Sequence, residues 1–147
     1  MPIIPTGYEE IRGRARALSV ILLFGAIGGM LYWVAFFTSG AVQASGEPCY
    51  LVFERAFPAA DAWGTATAVA AAAGLWRGRP AAVLFGIAAA SAMLFLGLMD
   101  VLYNLEHHMY ATVDAEMVGE IAINAYCFVV GPTLMLFVWR HRRALGA

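Results

Sequence analysis

The sequence predicts an all-α, polytopic membrane protein: a bundle of four transmembrane helices with both termini in the cytoplasm. Four apolar stretches carry the first part of that prediction, at residues 15–38, 58–76, 81–105 and 115–139 of the 147-residue chain. A run of ~20 apolar residues at a rise of ~1.5 Å each crosses the ~30 Å hydrocarbon core of a bilayer. Too little polar sequence remains to cover a soluble core, so the chain forms one domain whose solvent is lipid. The placement of the nine basic residues, all arginine, carries the second part. Arg12, Arg14 and Arg16 precede the first span, Arg77 and Arg79 join the second to the third, and Arg140, Arg142 and Arg143 follow the fourth. The other two connections hold only Arg55, so the positive-inside rule puts both termini in the cytoplasm of a multi-pass cell-membrane protein. Trp33 and Trp63 fall near the outer interface and Trp76 and Trp139 near the inner one, as an aromatic belt requires.

The first helix has a start signal in Thr6 followed by Glu9, a capping-box pattern that opens it near Gly7. Arg12–Arg16, the apolar run and Val42-Gln43-Ala44 imitate a signal peptide, but the run exceeds the ~7–15 residues of an h-region, so a retained helix is expected. Gly25-x-x-x-Gly29 is a small-residue motif that permits close helix approach. Residues 39–57 form the longest connection. Ser39, Gly40, Ser45, Gly46 and Pro48 read as loop, and Tyr50, Phe53 and Phe57 then recur at helical spacing, which suits a short interfacial helix. Pro58 is placed to open the second span and Pro80 the third. The second span is built of small residues, which suits a helix pressed on by its neighbours. Gly131-Pro132 interrupts the fourth and removes a backbone hydrogen bond there, so a kink is expected. Cys49 and Cys127 form no Cys-x-x-Cys and are expected to be free.

The net charge of −1 conceals an asymmetry. Glu47, Glu54, Asp61, Asp100, Glu106, Asp114, Glu116 and Glu120 lie toward the outer side, against Arg55 alone. The arginines of the other side are dispersed at span ends, which fits orientation and anionic lipid and offers no surface for nucleic acid. Depth follows from counting residues. Asp100 stands ~31 Å from Arg79 along its helix, Glu120 ~30 Å from Arg140 and Asp61 ~24 Å from Arg77. Three carboxylates on three helices therefore converge on the outer third of the membrane. Asn124 is one turn deeper than Glu120 and Glu116 one turn further out. On the third span Asp100, Asn104 and either His107 or His108 share a face, with Tyr103 adjacent.

Ionisable groups inside a membrane cost ~2.5–3.5 kcal/mol each at the bilayer centre, and they face a bundle interior or a water-filled cavity. Asp100, Asn104, Tyr103, Glu120, Asn124 and Asp61 are accordingly candidate ligand-binding residues, with Arg55 in the overlying loop as their local cation. The same groups would also serve as a structural hydrogen-bond network, and Asp61, near a helix start, as a dipole-complementing cap. Like-charged carboxylates in a low dielectric must be protonated, paired or metal-bound. A divalent ion would draw on His107, His108 and Glu116 beside the carboxylates. Tyr103 with a carboxylate pair would suit acid–base chemistry, but no nucleophile with an adjacent base is visible.

Phe53-Glu54-Arg55-Ala56, followed by Ala59, resembles the Phe-Glu-Arg element of the MAPEG family. The resemblance implies a four-helix membrane protein that forms trimers, and it implies that Arg55 contacts glutathione. Pro58 and Asp61 depart from the polar continuation of that element, and the family's later Arg-x-x-x-Tyr element is absent, with Tyr103 and Tyr110 in its general region.

The expected function is binding of a small or lipid-like ligand in an outward-facing polar pocket. A membrane enzyme (metal- or carboxylate-dependent, or MAPEG-like and glutathione-using) and an accessory subunit of a larger complex are the alternatives. The residues identify no cofactor. The expected partners are the bilayer and the ligand, and a homo-oligomer stays open.

Overall fold

The computed structural model describes residues 7–147, in which every regular element is helical. The helices are α1 (Tyr8–Thr38), α2 (Pro48–Glu54), α3 (Phe57–Arg77), α4 (Ala81–Glu106) and α5 (Ala115–Arg140), with one 3₁₀ turn at Met109–Ala111. Of these, α1, α4 and α5 are long and apolar enough to cross a membrane. At 21 residues α3 has the length, but its alanine, glycine and threonine and its Asp61 leave it short of the apolar character of the other three.

The long helices pack in sequence, α1 on α3, α3 on α4 and α4 on α5, while α1 and α5 scarcely approach each other. The bundle therefore has one weakly closed seam. The arginine-bearing ends of the four helices lie together at what we call the basic end. There a buried core runs through Ile11, Ala15, Leu22, Ala71, Ala72, Leu75, Ala82, Ala89, Ala90, Leu134 and Val138. Small side chains on α3 let its neighbours come close. At Gly74 an added Cβ would sit 2.6 Å from the Ala82 nitrogen. Polar groups in this core are satisfied: the Tyr8 hydroxyl donates to the Leu75 carbonyl at 2.6 Å, and Ser19 donates to Ala15 and Ala72 carbonyls at 2.9 and 3.0 Å.

Helix ends explain the connections. Gly78 closes α3 in the left-handed region at φ +61°, where a side chain would strain the backbone and strike the Tyr8 ring. Pro58 sits in the first turn of α3, and Pro80 stands at the N-cap of α4. Asp114 caps α5 by accepting from the Met117 amide at 2.9 Å. The Thr6 half of the expected capping box lies outside the described residues, and Gly7 at the N-cap of α1 makes no side-chain cap bond. α5 continues as one element through Gly131-Pro132.

Candidate functional site

At the opposite, acidic end, α2 sits over the bundle and ties three helices together. Tyr50 and Glu54, one turn apart, turn inward with Phe57 and are buried. Phe53 stacks on Tyr103 with ring centroids 4.0 Å apart, and Tyr103 stacks in turn on His107 at 4.0 Å. Phe36 of α1 completes this aromatic cluster.

Between the aromatic cluster and the alanine-rich core lies a cavity of about 560 Å³. Its lining includes Glu54, Asp61, Asp100, Glu120 and Asn124 toward α2, and Phe24, Ala68, Met93, Tyr126 and Cys127 deeper in the bundle. The sequence led us to expect a polar pocket. Most of the wall is apolar, and the carboxylates gather at the end beneath α2. Glycines hollow it out: a Cβ at Gly28 or Gly29 would meet nothing within 4 Å. The Gly25-x-x-x-Gly29 motif thus divides its work. Gly25 admits the Tyr126 side chain, whose hydroxyl donates to the Ile21 carbonyl at 3.1 Å, while Gly29 faces open space. Phe24 on α1 (78% exposed) and Ile123 on α5 (45% exposed) both line the cavity and face outward, so it opens along the α1–α5 seam.

Three of the carboxylates are held by neutral donors from other helices. Trp33 Nε1 donates to Asp61 Oδ2 at 2.8 Å. The bond corrects the reading of Asp61 as a helix cap: it lies four residues into α3, which has no side-chain cap, and it joins α3 to α1. Asn124 Nδ2 donates to Asp100 Oδ2, joining α5 to α4. Glu120 accepts from the Tyr50 hydroxyl at 2.6 Å and from Asn104 Nδ2 at 3.0 Å. Asn104 is fully buried behind this carboxylate, and its own Oδ1 has no donor. Tyr103, also outside the cavity wall, supports α2 by stacking.

Glu54 differs. It is 5% exposed, with the Tyr32 hydroxyl as its hydrogen-bonding neighbour. Burial, together with repulsion from Asp100, Glu120 and Asp61, pushes it up to about 8, and the nearby Tyr32 hydroxyl offsets only part of this. The neighbouring Tyr50 hydroxyl is also raised, by burial and by the proton it gives to Glu120.

No basic side chain lines the cavity. Arg55 does not supply the expected countercharge: it is exposed at the end of α2, and the single salt bridge among the described residues joins Arg12 to Glu9. Helical phase decides this, because the residue after inward-facing Glu54 turns outward. The candidate metal set is likewise not assembled, and no group of three or more His, Cys, Asp or Glu among the described residues has ligating geometry. His107 is exposed and its Nδ1 lies 2.9 Å from the Tyr103 carbonyl, His108 is exposed, and Glu116 lines a separate hollow of about 150 Å³.

Glu54, Trp33, Tyr50 and the cavity glycines are the functional candidates that the sequence reading did not select. One signal for Glu54 was present, since Tyr50, Glu54 and Phe57 fall on one helical face. Comparison of the chain with family models, curated proteins and solved structures returned no match.

Proposed function

We propose that this protein is a four-span cell-membrane protein with cytoplasmic termini, whose cavity binds a small or lipid-like ligand from the outer side. The single observation that carries this reading is a cavity of about 560 Å³ with an apolar depth and a polar rim of Glu54, Asp61, Asp100, Glu120 and Asn124. Its size falls within the ~300–1,000 Å³ of small-molecule sites, and its mostly apolar wall with a few convergent polar groups is their usual composition. A network serving only to hold helices together would leave no hollow of this size between them. Arginines at one end and carboxylates at the other support the orientation. α3 has the length to be the fourth span, flanked by α1 and α4.

Native mass spectrometry of protein released from its membrane in mild detergent tests this reading. The expected result is an added small-molecule mass that is lost in Asp100→Asn or Glu120→Gln, with folding retained. A bare protein whose variants differ only in stability would leave the hydrogen bonds with a structural role alone.

A further inference from the structure

The cavity has an electrostatic peculiarity that narrows its occupant. Four carboxylates, one from each of α2, α3, α4 and α5, meet at its rim, and no arginine or histidine lines it. Hydrogen-bond donors reach three of them, all from neutral side chains. The fourth, Glu54, is 5% exposed, has the neutral Tyr32 hydroxyl beside it and forms part of the cavity wall. Buried carboxylates without a countercharge are costly, and a cation brought beside them is attracted far more strongly than it would be in water. An inorganic cation does not suit the arrangement, because among the described residues no three ligating side chains stand close enough to hold one metal ion. Below the rim the wall becomes apolar through Phe24, Ala68 and Met93, and the α1–α5 seam opens sideways past Phe24 and Ile123. A molecule that satisfies both ends has a positive head and a hydrocarbon body.

We propose that the cavity takes a long-chain amine. Its protonated nitrogen sits beside Glu54 on the rim that Asp61, Asp100 and Glu120 also line, its chain lies along the apolar wall, and it gains access through the α1–α5 seam. This inference rests on the ligand-binding reading above. Glu54 is the group freed for the ammonium, since the other three carboxylates already join α3 to α1, α4 to α5, and α2 to α5. Tyr126, bonded to Ile21 across the seam, closes the cavity on the side toward the basic end.

The test compares dodecylamine with dodecanol, which shares its chain and lacks the charge, on the full chain in nanodiscs at about pH 9, where Glu54 is ionised and the amine is still protonated. Native mass spectrometry reads binding. The expected result is that the amine binds at least ~10-fold tighter than the alcohol, a difference of ~1.4 kcal/mol. Glu54→Gln and Asp100→Asn should each reduce that preference with the melting temperature retained. Gly29→Leu, which adds bulk to the cavity wall where a Cβ meets open space, should abolish binding of both probes. Equal binding of amine and alcohol, lost in Gly29→Leu, would overturn the cationic ligand and leave the binding cavity standing. Binding of neither probe would overturn both readings. An amine preference indifferent to Glu54→Gln, Asp100→Asn and Gly29→Leu would place the amine elsewhere and overturn the site. Should a carboxamide variant fail to fold, the two probes on the parent chain and on Gly29→Leu decide the matter.

Discussion

The two ends of the bundle are built on opposite principles. At the basic end, small residues bring backbones close, and the few buried polar groups, Tyr8 and Ser19, bond to carbonyls of the adjacent helix. At the acidic end, the helices separate around a cavity and are joined by side-chain hydrogen bonds at its polar rim, Trp33 to Asp61, Asn124 to Asp100, and Tyr50 and Asn104 to Glu120. Glycine serves both ends in different ways: Gly74 removes a clash with the Ala82 backbone, and Gly29 leaves a space unfilled. Close packing leaves nothing for a ligand to contact, whereas the open end exposes carboxylates with unused bonding capacity. Structural rigidity and the proposed ligand binding are thus divided along the length of the same four helices.

Leucine substitution separates the ends most sharply. Gly74→Leu would force its Cβ to within 2.6 Å of the Ala82 nitrogen, where only backbone movement relieves the clash. We expect a loss of more than ~3 kcal/mol, read as a large fall in melting temperature. A tolerated Gly74→Leu would break the description of the basic end. Next in size, Glu120→Ala strips acceptors from Tyr50 and Asn104, both fully buried. It should cost about 1–3 kcal/mol, and Glu120→Gln, which keeps one acceptor, about half as much. Denaturation in mild detergent distinguishes the two.

Glu54 provides a pH test of the acidic end. Its folded value of about 8 stands above its ordinary 4.5, so the folded protein holds a proton that the unfolded chain releases between those values. Stability should be highest below about pH 4.5 and decline as pH rises toward 8, by an amount on the order of a few kcal/mol. Asp61, Asp100 and Glu120 from α3, α4 and α5, and Tyr32 from α1, face the same space, so the comparison with Glu54→Gln is what isolates the residue. Melting temperatures from about pH 5 to 8.5 should slope less in Glu54→Gln. An identical slope would remove Glu54 from the account. The smallest effect belongs to the basic end. Ser19→Ala loses one interhelical bond in an otherwise satisfied core, a cost of about 0.6 kcal/mol.

The helices were legible in the sequence because their ends carry strong signals: arginine at span termini, Pro58 and Pro80 at starts, Gly78 at a stop. The convergence of Asp61, Asp100 and Glu120 followed from residue counting, since helical rise is nearly constant. The roles of their neighbours did not. Asn104 shares a helical face with Asp100 but lies behind Glu120, because phase along one helix does not tell which neighbouring helix that face meets. Arg55 drew attention as the local positive charge, whereas its neighbour Glu54 turns inward and Arg55 turns out. Hollow space has no sequence signature of its own. Gly25 and Gly29 are identical in the chain, and only the packed bundle shows that one admits a tyrosine and the other nothing.

The most direct test of the cavity's role is Gly29→Leu, measured for thermal stability and for bound amphiphile by native mass spectrometry. The account predicts a melting temperature close to that of the parent chain, because among the described residues nothing beyond its own helix backbone and chain neighbours stands within 4 Å of the added Cβ, together with loss of the bound mass. A variant that unfolds as Gly74→Leu does, or one that retains its ligand undiminished, would contradict it.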